Sequence, residues 1–443
     1  MKRLPINPKR ATFIIVLAAA FAALCVLVVF YFKDRQPPTL SLSPESGPVN
    51  KKKEFSLKAE DQDSGVKNIQ VSLIQGEKTT LLKNTLYPAR ETTQATLTFT
   101  LEKTKLKDGP FQIRVTAKDG SIYHMGKGNV AEAAYDLTLD TTPPRISVQS
   151  LTHNLNQGGA GCVAYALSED AGKSGVLVGD FFFPGYKQAS GEYACVFAFP
   201  HSVTVQEFRP VVTAFDTANN QGRQGINYHA NPRTFKKDNI RLPSRFLTSK
   251  MPQFEGDFPG PMEQIERFLK VNRELRTQNR KRMLEIGQKS EASPLWQGKF
   301  LRLPNAATRA GFADQRSYLF EGKKVDAQTH MGIDLASIKH APVPGANAGK
   351  VVHTGFFGIY GNSVVLDHGL GLMTLYAHLS EIHVQVGDTV QKGQTIGRTG
   401  ATGLAGGDHL HFGVYVSGVP VNPLEWWDKT WIKNNISGKL KGE

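Results

Sequence analysis

Cysteine is scarce: three occur in 443 residues, Cys25, Cys162 and Cys195. This excludes a disulfide-dense scaffold, and their spacing matches no zinc knuckle. Cys25 lies in an apolar run. Cys162 and Cys195 sit in strand-like runs, where either one cross-sheet disulfide or two buried thiols is expected. Acidic residues are also in deficit, 39 against 53 Lys and Arg, for a formal net charge of +14. Such a balance favours an anionic partner, such as lipid headgroups or an acidic wall polymer. No basic patch interleaved with aromatics and no nucleic-acid motif is present, which sets nucleic acid aside.

Long hydrophobic runs are missing too, with one exception. Residues 11–32 carry no charge over 22 positions, about 33 Å as a helix, which matches a bilayer core. Lys2, Arg3, Lys9 and Arg10 precede the run; Lys33 and Arg35 follow, offset by Asp34. The heavier positive flank predicts a cytoplasmic N-terminus, with the rest of the chain exported. A cleaved signal would have a shorter apolar region ending in a small-x-small site. This run ends Val-Val-Phe-Tyr-Phe, and bulky Leu24 before Cys25 argues against a lipoprotein site.

A repeat follows the run. Pro37-Pro38 is echoed by Pro143-Pro144, Glu60-Asp61 with Ser64-Gly65-Val66 by Glu169-Asp170 with Ser174-Gly175-Val176, and Val115-Thr116-Ala117-Lys118-Asp119 by Val212-Thr213-Ala214-Phe215-Asp216, at offsets of about 100 to 110 residues. Alternating runs broken by Gly, Asn and Asp predict two antiparallel β-sandwiches, at 37–142 and 143–236. They resemble bacterial immunoglobulin-like domains, which implies spacer or binding modules with envelope protein partners. Residues 237–298 predict a helical linker. Ile265, Phe268, Leu269, Val271, Leu275, Met283, Leu284 and Ile286 give an apolar face over 261–287, with Pro261 at the start and Gly287 at the end. Leu242, Phe246, Leu247, Met251 and Phe254 are costly to leave in water and are expected to pack on the next domain. Residues 299–430 are dense in glycine and short Val/Ile strands, predicting a compact β domain, and 431–443 form a tail.

Eight of the twelve histidines fall between His330 and His411. In a strand, His409 and His411 project to one face, with Leu410 and Phe412 on the other. Such a pair either shares a metal or divides metal binding from proton transfer. His330 and Asp334, four apart around Gly332, suit a strand end or loop that curls both toward one ion. With His411 they reach the two-His, one-carboxylate count of a catalytic zinc site. His378 is expected to share a strand face with Thr374 and Tyr376. His340, His353, His368 and His383 are expected at turns or the surface.

Seven motifs run in order through residues 330–413: His330-Met331-Gly332-Ile333-Asp334, Tyr360-Gly361-Asn362-Ser363-Val364, Asp367-His368-Gly369, Tyr376-Ala377-His378-Leu379-Ser380 after Thr374, Val384 to Gln394 with Gly387-Asp388 and Lys392-Gly393, Gly397-Arg398-Thr399-Gly400, and His409-Leu410-His411-Phe412-Gly413. This segment resembles the lysostaphin/LytM-type (M23) zinc metallopeptidases. The resemblance implies zinc, one ion per chain, on His330, Asp334 and His411, with His378 and His409 as catalytic histidines. An arginine usual shortly before the first ligand is replaced by Gln328 and Thr329. Val386 to Gln394 also resembles part of a lipoyl domain, but no modifiable lysine stands at a hairpin tip beside Met.

The expected chain is thus mainly β: an anchor (1–36), two sandwiches, a helical linker and a glycine-rich antiparallel peptidase domain. Its expected activity is metallo-endopeptidase cleavage of peptidoglycan stem or cross-link peptides. The expected location is the bacterial cytoplasmic membrane, single-pass, with the bulk periplasmic or extracellular. A non-catalytic scaffold or activator of wall amidases is the alternative.

Overall fold

The computed structural model describes residues 8–88 and 91–440. Lys2 and Arg3 of the N-terminal flank, and residues 441–443 of the tail, lie outside them. The chain is mainly β and forms two compact units: Met1–Pro143 with Thr217–Asn220, and Pro144–Asp216 with Gln221–Glu443.

The first unit begins with helix α1, Pro8–Lys33. Its Lys9–Val29 stretch is 21 residues long with a mean hydropathy of 3.0, and none of its most apolar window is buried. A helix this apolar with no protein around it is long enough to cross a bilayer. A sandwich follows. Strands Thr39–Ser43, Phe55–Glu60 and Gln94–Phe99 form one sheet, and five strands in the order Gly47–Val49, Val130–Leu139, Gly109–Asp119, Val66–Gln75, Lys78–Leu86 form the other. Alternation sends Phe55, Leu57 and Ala59 inward from the first sheet, to meet Ile69, Val71, Ile113 and Val115 of the second.

In the second unit, residues after Pro144 build two four-stranded sheets. Strands Ala160–Leu167 and Tyr193–Ala198 are buried on both faces over most of their length. Double burial removes the alternation of a free-standing sandwich, and its cause is contact. Cys162, Tyr165 and Phe197 belong to one hydrophobic core with Phe300, Val414 and Trp426 of the glycine-rich segment. Glu425 crosses that junction, accepting hydrogen bonds from Asn156 Nδ2 and the Ala160 N–H, both at 3.0 Å. Cys162 pairs with Val196 and Val163 with Cys195. The two cysteines are therefore one step out of register, on opposite faces, and both are free buried thiols.

The linker runs as a strap. Strand Lys237–Arg241 pairs in parallel with Gln315–Phe320. Helix α2 (Gln264–Lys270), a π turn (Val271–Leu275) and helix α3 (Arg276–Gly287) follow. The helix starts three residues after Pro261, because Glu263 keeps an extended backbone at its cap. It ends at Gly287, where an added Cβ would lie 2.1 Å from the Gly418 backbone. Leu242, Leu247, Met251, Phe254, Phe268, Val271 and Leu275 pack with Tyr360, Met373, Leu375 and Tyr415. The strap side chains thus cover one face of the glycine-rich domain's main sheet.

That sheet runs in the order Ala307–Ala310, Ile333–Ala336, Leu410–Val416, Leu372–Ala377, Asn362–Asp367, Gly349–Phe356, Thr389–Val390, with Val419–Val421 on the side of Leu410–Val416. The tail caps the unit, burying Ile432 and Ile436 in the shared core.

Candidate metal centre

Register brings the histidine motifs together. Asp334 on Ile333–Ala336 stands directly opposite His411 on Leu410–Val416. His411 in turn faces Ala377, the last residue of its other neighbouring strand. His330 sits just after strand Lys323–Thr329, in the turn leading to Ile333. Gly332 makes the turn possible: a Cβ there would lie 2.6 Å from His411 Nε2.

His330 Nε2 lies 3.0 Å from Asp334 Oδ1 and 3.0 Å from His411 Nδ1, and His411 Nδ1 lies 2.9 Å from Asp334 Oδ1. His330 Nδ1 donates to the Gly311 carbonyl at 2.8 Å, which leaves a lone pair on Nε2 in the neutral ring. A carboxylate oxygen and imidazole lone pairs at this distance repel unless a proton or a cation lies between them. Ligand atoms about 2.1 Å from one tetrahedral ion would be roughly 3.4 Å apart. Two histidines and one carboxylate, closing one side of a cavity of 110 Å³, therefore fit a zinc ion with an open position.

His378 and His409 line the same cavity, their ring centroids 4.8 Å apart. His378 Nδ1 donates to the Thr402 carbonyl and His409 Nδ1 to the Gly407 carbonyl, each at 2.8 Å. Carbonyls only accept, so Nε2 is the acceptor nitrogen of each ring when neutral. His409 Nε2 lies 3.6 Å from Asp334 Oδ1. His378 departs from the expected strand face. It lies one residue past the strand, in the left-handed region at φ 63°. Thr374 and Tyr376 instead bond to each other, and Thr374 Oγ1 meets His368 Nε2 at 2.8 Å. His368 is not a surface residue: it is fully buried, and burial pushes it down to about 4.

Burial drives His378 well below the ordinary histidine range, with the charges of His409 and His411 adding to it. Burial also takes His411 down to about 4, against the pull of Asp334. At His409 burial acts in the same sense, but the hydrogen bond and charge of Asp334 outweigh it and the net direction is upward. Burial would raise Asp334, yet His330, His409 and His411 hold it well below the usual carboxylate range.

Two arginines complete the site, and the motifs named neither. Arg316 Nη2 donates to Asp334 Oδ2 at 2.9 Å. It stands opposite Gln328 in the strand pair before His330, so the guanidinium sought beside the first ligand comes from across the ladder. Arg276 reaches the cavity from helix α3. Asn272, fully buried, holds it by accepting from Arg276 Nη2 at 2.7 Å and Nε at 3.3 Å. In the sequence Arg276 is one basic residue directly after the apolar position Leu275 of the linker, with no motif around it.

The model of peptidase family M23 matches residues 328–423. The DD-carboxypeptidase/endopeptidase Mpg of Neisseria meningitidis serogroup B is 42% identical over 95 residues, 21% of this chain and 22% of that protein. The peptidoglycan DD-endopeptidase ShyA of Vibrio cholerae serotype O1 is 44% identical over 96 residues, 22% of each. The chain thus spans about a fifth of the length of these relatives. The catalytic domain of lysostaphin from Staphylococcus simulans is 28% identical, over 30% of this chain and 98% of that one, with a TM-score of 0.26.

Proposed function

We propose that the M23 domain at residues 328–423 makes this chain a zinc metallo-endopeptidase that hydrolyses peptide bonds of peptidoglycan stem or cross-link peptides. The observation that carries the reading is the convergence of His330 Nε2, Asp334 Oδ1 and His411 Nδ1 within 3.0 Å, with two further histidines on the rim. These three atoms would hold the zinc, which when bound supplies Lewis acidity to the scissile carbonyl and to an attacking water. Arg316 fixes the Asp334 carboxylate from its outer oxygen. His409, whose Nδ1 is held by the Gly407 carbonyl so that Nε2 is the acceptor of the neutral ring, takes the proton of the attacking water. His378, locked in the same tautomer by Thr402, accepts a hydrogen bond from that water, takes its second proton and passes it to the leaving amine.

The surroundings favour an anionic peptide. A second cavity of 370 Å³ shares Arg276, Arg316, Leu404 and Gly406 with the metal pocket and adds Arg241 and apolar Phe246 and Phe268. Guanidinium groups beside a peptide-sized hollow suit the free carboxylates of wall peptides. The relatives' names, peptidoglycan DD-endopeptidase and DD-carboxypeptidase/endopeptidase, support the same substrate class. Helix α1 would anchor the enzyme in the cytoplasmic membrane with its bulk outside the cytoplasm. The test is incubation of the zinc-loaded full chain with isolated peptidoglycan and mass analysis of released fragments. New peptide ends that vanish with His409→Ala are expected. Intact peptidoglycan throughout would favour the non-catalytic scaffold.

A further inference from the structure

A second cluster of ligand-type side chains lies far from the histidines in sequence, in the first unit. The carboxylates of Asp34, Asp61 and Asp119 bring ligand atoms within 4.8 Å of one another, and all three residues are buried. They come from three segments: the residue after helix α1, the loop after strand Phe55–Glu60, and the end of strand Gly109–Asp119. Arg and Lys partners within 4.0 Å, as at Asp170, Asp326 and Asp334, are not seen at these three carboxylates among the described residues.

Three negative charges gathered out of water need compensation. Hydrogen bonds supply part of it. Asp61 Oδ1 accepts from the N–H groups of Asp63, Ser64 and Gly65. Asp119 accepts from the N–H groups of Ser121 and Asn129 and from Asn129 Nδ2. Asp34 receives least, one hydrogen bond to Oδ1 from the Gln36 N–H at 3.2 Å. It is 5% exposed, and its Oδ2 is buried with no hydrogen-bond partner. The Ser64 hydroxyl beside Asp61 is buried without a partner as well. Burial pushes the Asp119 carboxyl up; the Asn129 and Ser121 hydrogen bonds oppose this, and the charge of Asp34 adds to it.

We infer that Asp34, Asp61 and Asp119 form a Ca²⁺ site that ties the chain leaving the membrane helix to the first sandwich. The donor set is oxygen only, which suits a hard cation and not zinc. Oxygens about 2.4 Å from one Ca²⁺ lie at most about 4.8 Å apart, as these do. Ca²⁺ accepts carboxylates from an irregular cage, whereas Mg²⁺ demands a near-ideal octahedron and keeps its waters. The partnerless Asp34 Oδ2 would find its counter-charge in the ion. The strand ends are already stitched for this: the Asp34 carbonyl accepts from Ser121 Oγ at 2.9 Å and from Asn129 Nδ2 at 3.4 Å. The sequence repeat carries the pattern again, with Asp140 before Pro143-Pro144, Asp170 after Glu169, and Asp216 in the echo of Asp119.

The test uses the full chain in detergent, stripped with chelator and reloaded with one equivalent of Zn²⁺. Ca²⁺ is then titrated calorimetrically, and thermal unfolding is followed with Ca²⁺, with Mg²⁺ and without either. Wild type should bind Ca²⁺ saturably and melt several degrees higher with it, with a smaller response to Mg²⁺. Asp34→Asn keeps the acceptor for the Gln36 N–H and removes one charge. It should lose at least one equivalent of bound Ca²⁺, keep its zinc, and melt no lower than Ca²⁺-free wild type. Absence of Ca²⁺ binding by wild type, a wild-type response in Asp34→Asn, or a stronger response to Mg²⁺ would each overturn the inference. So would an Asp34→Asn protein melting well below Ca²⁺-free wild type, since an empty anionic cage gains by losing a charge.

Discussion

Two triads of buried ligand-type residues occupy this chain, and they differ in donor chemistry. His330, Asp334 and His411 present two nitrogens and one oxygen around an open cavity. Asp34, Asp61 and Asp119 present oxygens alone. The first carries a single formal charge when its histidines are neutral, and Arg316 offsets that charge from outside. The second carries three with no cationic side chain paired to them. A third burial solves the same problem without a metal: Glu425 at the junction of the second unit has one carboxylate and two N–H donors, and burial raises it to about 7. A carboxylate out of water is kept by a neighbouring cation, a bound ion or a proton, and the local donor set decides which.

The largest expected effect separates metal holding from proton transfer. His378→Ala and His409→Ala should each lower turnover on peptidoglycan by roughly 10² to 10⁴, the usual contribution of a general acid or base. Fragment release close to wild type in either variant would remove that residue from the mechanism.

Removing support from beneath one triad should leave the other alone. Phe268 is fully buried in the core that the strap shares with Tyr360 and Tyr415. Phe268→Ala should cost about 3 to 5 kcal/mol of second-unit stability, measured by denaturant unfolding, with no change in the response to Ca²⁺. A loss of both together would show that the two sites are not independent.

Glu425 sharpens the contrast through pH. Its folded value of about 7 lies above the ordinary glutamate value of about 4.5. Between these values the folded state keeps a proton that the unfolded state has released, so stability from this group falls as pH rises across the window. The fall is on the order of 3 kcal/mol in total. Unfolding of Glu425→Gln followed from pH 4 to 8 should show a flatter slope than wild type across that window. An unchanged slope would mean that the carboxylate is ionised throughout.

The smallest effect concerns substrate. Arg276→Ala should raise KM for a soluble cross-linked wall peptide by about tenfold or more, as for a lost charged hydrogen bond, and leave kcat and zinc content near wild type. A faster enzyme with unchanged KM would instead make the strap a restraint on the cavity.

The grouping of His330, Asp334 and His411 was expected from their residue types and from the motifs that carry the family resemblance, and strand pairing is what brings them together. The Asp334–His411 pairing turns two distant motifs into neighbours, and Gly332 marks where the rings meet. The strap's apolar residues also announced that they must be covered, and they pack on the glycine-rich domain. Arg316 was hidden, because its nearness to Asp334 depends on a strand pairing and not on a motif. The left-handed backbone at His378 and the burial of His368 depend on tertiary packing, which strand alternation does not encode. Asp34 reads as a flanking charge of an apolar run, and Asp61 and Asp119 read as repeat markers. Only the fold places them side by side.

The central claim, that three residues hold one zinc ion while two others move protons, is tested most directly by elemental analysis. Zinc content would be measured side by side in five purified full-length variants: His330→Ala, Asp334→Ala, His411→Ala, His378→Ala and His409→Ala. The first three should lose the metal, because two remaining ligands hold zinc poorly, and the last two should keep most of one equivalent per chain. Full occupancy in any of the first three, or loss in His378→Ala or His409→Ala as complete as in His411→Ala, would contradict the assignment.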